Sequence, residues 1–272
     1  MEIFTQKLNV RLIRPISLLL LIILSGCTPA DPASQMRRFT PPEDEAMATN
    51  YIALLRQNKF EQIEKDLDPS IRNALIQDTL AKMAKAIPPE DPVSVKVIGA
   101  HQAHSADLYK INLSFEYQFP SKWLLINVAT QKKGGVSTIV GFNVYPISDS
   151  LENINRFTLT GKNPLQYVTL AFAILIPLFI FYVLVLCIRT KMTKRKWLWI
   201  IFILFGIGRL TVNWTTGQWQ IAPLYFSLLG SGAFAPPYGA WLISTSLPLG
   251  AFMFLFRRKK FIASVEPVPS AP

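Results

Sequence analysis

With 272 residues, half of them apolar, and a formal net charge of +11, the chain has room for one ordinary domain and a second unit. The charge is unevenly spread: residues 28–161 carry 14 basic and 15 acidic side chains, whereas residues 162–272 carry 11 basic and one acidic. The part able to present a folded surface to a polyanion is close to neutral, which excludes nucleic acid as a partner, and the positive excess belongs to the flanks of apolar runs.

At the N-terminus, Lys7, Arg11 and Arg14 lead into the apolar run Pro15 to Leu24, which is too short to cross a bilayer comfortably. Leu24-Ser25-Gly26-Cys27 closes the run. This box resembles that of bacterial lipoprotein signals, and the resemblance implies a signal peptide over residues 1–26 with lipid attached to Cys27. The other reading is a retained signal anchor in which Cys27 is an ordinary thiol. Cys187, the second cysteine, lies in an apolar run where a thiol behaves as a small hydrophobe. With Cys27 lipidated, no intramolecular disulfide is available.

Residues 27–42 hold Pro29, Pro32, Pro41 and Pro42 among small polar residues, a composition expected to stay extended as a tether. A folded domain is expected over 43–160. Glu43, Asp44 and Glu45 open a helical pattern that complements the helix dipole, with Met47, Tyr51, Leu54 and Leu55 on one face. A second amphipathic helix is expected from Pro69, carrying Ile71, Leu75, Leu80, Met83 and Ile87 until Pro88-Pro89 stops it.

The apolar period then changes from about 3.6 to 2. Val93 to Val97, Ile111 to Phe119, Trp123 to Ala129 and Val136 to Ile147 read as four strands. Helices followed by a strand meander predict an α+β domain, with two to three helices on the apolar face of a four-stranded antiparallel sheet. This order, with its final strand around Gly141-Phe142-Asn143-Val144, resembles the α+β domains of the nuclear transport factor two superfamily. The resemblance covers about Glu43 to Ile147 and implies a sheet enclosing a cavity that binds a small molecule, catalyses or dimerises.

The remainder is expected to be an all-α membrane domain over 161–260, with three transmembrane helices at about 167–188, 197–214 and 239–256. Tyr167 to Ile188 is free of charge and long enough to span, with Pro177 tolerated as a kink. The clusters Arg189 to Lys196 and Arg257 to Lys260 mark the cytoplasmic side, and Trp197, Trp199, Trp214 and Trp219 suit interfacial positions. Residues 221–238 are apolar but broken by Pro and Gly, as expected of an interfacial loop or re-entrant segment. A disordered cytoplasmic tail is expected over 261–272.

Arg209 is the one charge inside an expected span, and there it either snorkels, makes a structural hydrogen bond or recognises a ligand. No Asp or Glu occurs between Glu152 and Glu266, and no His follows His104. Carboxylate proton relays and a membrane Ser-His dyad are therefore excluded from this half. His101 and His104 with Asp107 form a weak metal-binding spacing in an expected loop. No cofactor motif is present. Tyr117, Glu116, His101 and Asp107 are the polar residues that an enzymatic cavity would use, although Glu116 shares the solvent-facing alternation with Asn112 and Ser114.

Together these features predict a multi-pass lipoprotein of the bacterial inner membrane with its N-terminal domain outside the cytoplasm. Its expected partners are the lipid bilayer and a membrane protein, in the role of a non-enzymatic accessory subunit. A tethered small-molecule-binding or enzymatic domain is the alternative.

Overall fold

The computed structural model describes residues 31–190, 192 and 196–263. Cys27, the expected signal peptide and residues 264–272 lie outside the described residues.

The first element corrects the expected tether. Helix α1 (Pro32–Phe39) has proline at its first position and Asp31 as its cap, whose carboxylate accepts from the amides of Ala33 and Ser34. Its Met36 is buried against Ile98 and Tyr238, so apolar contact fixes a segment whose composition alone reads as extended.

Helix α2 (Pro42–Arg56) buries Ala48, Tyr51, Ile52 and Leu55, the spacing of one helical face. It stops at Asn58, which adopts a left-handed φ of 58°, and is followed by the short α3 (Phe60–Lys65). Helix α4 (Ile76–Ala86) begins seven residues after the expected start at Pro69. The delay has a local cause: Asp68 accepts from the amide and hydroxyl of Ser70, and Asn73 accepts from the amide of Leu75. Such short side-chain bonds compete with a helical backbone.

Strands β1 (Ser94–Ser105), β2 (Leu108–Gln118), β3 (Trp123–Lys133) and β4 (Val136–Ile147) form an antiparallel meander in that order. On one face Ile111, Leu113, Phe115, Tyr117, Phe119, Leu124, Ile126 and Val128 make a single buried core with α2, α3 and α4. Leu67 also forms a parallel bridge to Ile139, which holds the α3–α4 connection against β4. The helix-covered face is thus filled by the protein's own side chains.

The second unit overturns the expected all-α domain of three spans. After a single turn, α5 (Leu151–Ile154), comes α6 (Pro164–Arg189), which is the one described helix long and apolar enough to cross a membrane. The span expected at 197–214 divides into a nine-residue helix, α7 (Lys196–Leu204), and a strand, β5 (Phe205–Asn213). The region 221–238, expected as a loop, supplies β6 (Trp219–Leu228) and β7 (Ser231–Phe234). The span expected at 239–256 divides into β8 (Leu242–Leu247) and α8 (Leu249–Ala263). These strands form a second antiparallel sheet in the order β6-β5-β8-β7.

The reason lies in residue type. Hydropathy reports how readily a segment leaves water but not its backbone conformation. Gly206, Ile207, Gly208, Thr211 and Val212, like Ile243 and Thr245, are glycines or β-branched residues that weaken a helix and favour a strand.

The C-terminal half of α6 packs on α7 and α8 through Ile180, Val183, Cys187, Ile203, Ala251 and Phe254, all fully buried. Its N-terminal half packs on the second sheet. There Gly230, with φ of +66°, comes so close that a Cβ would lie 2.7 Å from Ile176. At the start of α6, Asn163 and Gln166 form a capping box, and Gln166 also donates to the carbonyl of Trp214 at 2.6 Å. Trp214 is only 1% exposed, in contrast to its expected interfacial position. It stacks on Phe157 and donates from its indole to the carbonyl of Thr158 at 2.8 Å. Asn155 donates to the carbonyl of Tyr238 at 2.8 Å, and the Tyr238 side chain is buried beside Met36 and Ile98. The two sheets are therefore joined through buried contacts.

Candidate functional site

Arg209 lies on β5 and not on a helix. Opposite it, the ladder slips: Ile207 pairs with Phe226 and Arg209 with Ala222, so Gly208 faces Pro223, Leu224 and Tyr225 of β6. Gly208 has φ of +73°, a conformation natural to glycine. The register also shifts on the β8 side, between Ile207 and Leu210. An irregularity of this kind redirects the side chain beside it.

The redirected guanidinium is held by two neutral neighbours. Its Nε–H donates to the Thr211 hydroxyl at 3.1 Å, and its central carbon lies 4.7 Å from the centre of the Tyr225 ring. Among the described residues its terminal amino groups have no hydrogen-bond acceptor and no carboxylate pairs with it.

Arg209 borders a cleft of about 510 Å³ between the N-terminal half of α6 and the second sheet. This size falls within the usual range of ligand sites, roughly 300–1,000 Å³. Phe172, Leu175 and Phe179 form the helix wall, with Leu247 and Phe252 closing the end near α8. The polar groups are few: Arg209, Thr245 and Ser246. The Ser246 hydroxyl is bonded to that of Ser227 at 2.6 Å, whereas Thr245 is 9% exposed and its Oγ1 has no partner among the described residues. Because Leu210 pairs with Thr245, the Arg209 side chain, turned toward Thr211 and Tyr225, leaves the sheet on the opposite face, and the cleft itself offers apolar walls over the buried Thr245 hydroxyl. Among the described residues the Ser227–Ser246 hydroxyl pair has no base bonded to it.

The other residues singled out by sequence do not converge. His101 and His104 lie on β1 instead of in a loop, with Asp107 in the following turn. Three residues apart on a strand, the two imidazoles leave opposite faces. His104 packs its ring 4.8 Å from Tyr109, and among the described residues no group of three or more potential metal ligands forms. Tyr117 and Glu116 also occupy opposite faces. Tyr117 lies in the core, where burial pushes its phenol up to about 12 against the opposing charge of Arg56.

Glu116 reverses the expected solvent exposure. It is 1% exposed, because α5 covers that face of the sheet. Its Oε2 accepts from the amide of Leu151 at 2.6 Å, and its Oε1 has no partner among the described residues. Nearby, Lys96 and Glu152 pair at 3.7 Å in a polar recess that Tyr238 also borders. Alternation along β2 separated the two faces of the sheet but could not show that both would be covered.

Thr245, Ser246 and the α6 wall were missed by sequence reasoning. The one available signal was the hydroxyl run Ser244-Thr245-Ser246 inside an otherwise apolar stretch. Comparison with known families, curated proteins and solved structures finds no match to this chain.

Proposed function

We propose that this protein is a membrane-anchored lipoprotein of the bacterial envelope whose extracytoplasmic α+β unit and second sheet serve as an accessory binding module for a membrane protein. The observation that carries the reading is strand β6. It lies at the edge of the second sheet away from β7 and β8, the strands on which α6 chiefly packs, and Ile221, Leu224, Phe226 and Leu228 on it are all exposed, Leu224 to 93%. An open sheet edge is not stable against hydrocarbon, where each unpaired peptide group costs several kcal/mol, and an apolar edge in water invites pairing. A protein partner that covers β6 resolves both problems. Cys27 would add a lipid to the anchor formed by α6, and the basic residues after α6 and in α8 would lie on the cytoplasmic side.

The filled core of the first unit argues against the enzymatic alternative at that place, since the helix-covered face of the sheet is occupied by aromatic and aliphatic side chains. Photo-crosslinking from position 224 in native membranes, with mass spectrometry of the N-terminus, tests the proposal. The expected result is one membrane protein crosslinked at β6 and co-purifying in stoichiometric amount, with a diacylglyceryl group on Cys27. A chain recovered alone from the soluble fraction with an unmodified N-terminus would overturn it.

A further inference from the structure

We propose that the recess between α1, β1, α5 and the turn carrying Tyr238 binds a small organic ammonium ion. Its N–H groups would meet the Tyr238 phenol and the carboxylates of Glu45 and Glu152, with its carbon body against Met36, Val95 and Val97. The site lies where the two units join and requires no partner at β6, so it goes beyond the reading of the protein as a docking module.

Tyr238 is the first observation. It lies in the turn between β7 and β8, is only 9% exposed, packs against Met36 and Ile98, and borders the recess. Its backbone takes a φ of 56°, rare for a bulky residue, and its carbonyl accepts from Asn155. The phenol itself has no hydrogen-bond partner among the described residues. A tyrosine buried to this extent ordinarily finds one, so a ligand group that bonds the oxygen would be favourable.

The second observation is the charge around that phenol. Asp31, Glu45 and Glu152 line the recess together with Arg37 and Lys96. Glu116 stands directly opposite Lys96 across β1 and β2, which puts both side chains on the same face of the sheet. Four carboxylates thus surround two cations. Lys96 reaches Glu152 only at 3.7 Å, and Arg37 is exposed on α1, where water can meet it. The Asp31 carboxylate is engaged by the amides of its own helix, whereas Glu45 has no ion pair among the described residues. The surplus is felt at Tyr238: burial first, and then the carboxylates of Glu152, Asp31 and Glu116, hold its phenol above the ordinary value. The phenol is therefore neutral, its oxygen is free to accept, and the field around it favours a cation and opposes an anion.

The remaining lining specifies which cation. Among the described residues no three potential metal ligands converge, so a metal ion would lack the close set of oxygens it needs. An organic ammonium carries separate N–H donors that reach dispersed acceptors, and it is attracted to an aromatic ring face. Ala33, Met36, Val95 and Val97 supply apolar surface for its carbon atoms. The volume of about 390 Å³ restricts the ligand to a small one.

The test titrates the full-length protein in neutral detergent with n-butylammonium, 1-butanol and butyrate, three probes of like size and different charge. Binding is read by ligand-observed nuclear magnetic resonance, with protein-free micelles as the reference. The expected result is saturable binding of one butylammonium that weakens as salt is raised, and no saturable binding of butanol or butyrate. Tyr238→Phe, which keeps the ring and removes only the oxygen, should weaken binding about fivefold, the worth of one hydrogen bond. Glu152→Gln, on an exposed side chain whose replacement leaves the fold intact, should weaken it about threefold. Butanol or butyrate bound as tightly as butylammonium, no binding of butylammonium, or parent-like affinity in both folded variants would overturn the proposal. A failed crosslink at position 224 would leave this result untouched, so the two readings fail separately.

Discussion

The hydroxyl of Ser231 donates to the carbonyl of Ala173 at 2.9 Å, and that carbonyl is the acceptor that Pro177, four residues on, cannot bond because proline has no N–H. The second sheet thereby repairs the one break in the hydrogen-bond ladder of α6. Gly230 makes the approach possible, since any side chain there would meet Ile176 and Ile180.

Ser231→Ala should lower stability by about 1 kcal/mol, the usual worth of one such bond. In a Pro177→Ala background residue 177 regains its N–H and the effect of Ser231→Ala should shrink by half or more. Denaturant titrations of the four proteins in detergent measure the coupling; strictly additive effects would show that the hydroxyl does not compensate for the proline.

Gly230→Val should separate the sheet from α6. Both its left-handed φ and the 2.7 Å approach to Ile176 oppose a branched side chain, and a loss of about 2–4 kcal/mol is expected from backbone strain and overpacking together. Thermal unfolding followed by circular dichroism reads the loss directly.

Asp68 joins the α3–α4 connection to the first sheet. Its carboxylate accepts from the hydroxyl and amide of Ser70, from Thr138 at 3.3 Å and from the Gln131 amide. The Ser70 hydroxyl leads these bonds in holding the carboxyl below its ordinary value. A carboxylate with a lowered folded value stabilises above the unfolded value, about pH 4, and that contribution is lost as pH falls through the folded value. Asp68→Asn should therefore show less acid destabilisation below pH 4 than the parent, measured by urea midpoints between pH 7 and pH 2.5. Unchanged acid sensitivity would remove Asp68 from the account.

Tyr117 should show the opposite dependence at high pH. Its phenol is pushed up to about 12 mainly by burial, so its neutral form stabilises the fold below the unfolded value near 10, and the contribution is lost as pH rises toward 12. In a spectrophotometric titration, Tyr117→Phe should remove one tyrosine from the class that ionises late. Loss of an early-ionising tyrosine instead would contradict its place in the core.

Gln166 caps α6 and also donates to the carbonyl of Trp214. Gln166→Leu should cost about 1–3 kcal/mol by leaving the helix cap and the Trp214 carbonyl unmatched, and should increase indole exposure. Acrylamide quenching of tryptophan fluorescence before and after the change checks the second effect.

The sequence by itself determined the first sheet, because alternation such as Ile111, Leu113, Phe115, Tyr117 and Phe119 leaves one face to be buried, and it marked α6, through the uncharged run Tyr167 to Ile188. It also identified Arg209 as an isolated charge. Tertiary structure decided what the later apolar segments became. A stretch such as Phe205 to Val212 satisfies hydropathy equally well as helix or strand, and only pairing with β6 and β8 supplies the partners that make it a strand. The cleft was likewise invisible in the sequence, because it joins residues from Phe172 to Phe252 that no local period relates. Burial of Glu116 depended on α5 crossing a face that alternation assigned to solvent, and such coverage is set by long-range packing and not by the strand's own pattern.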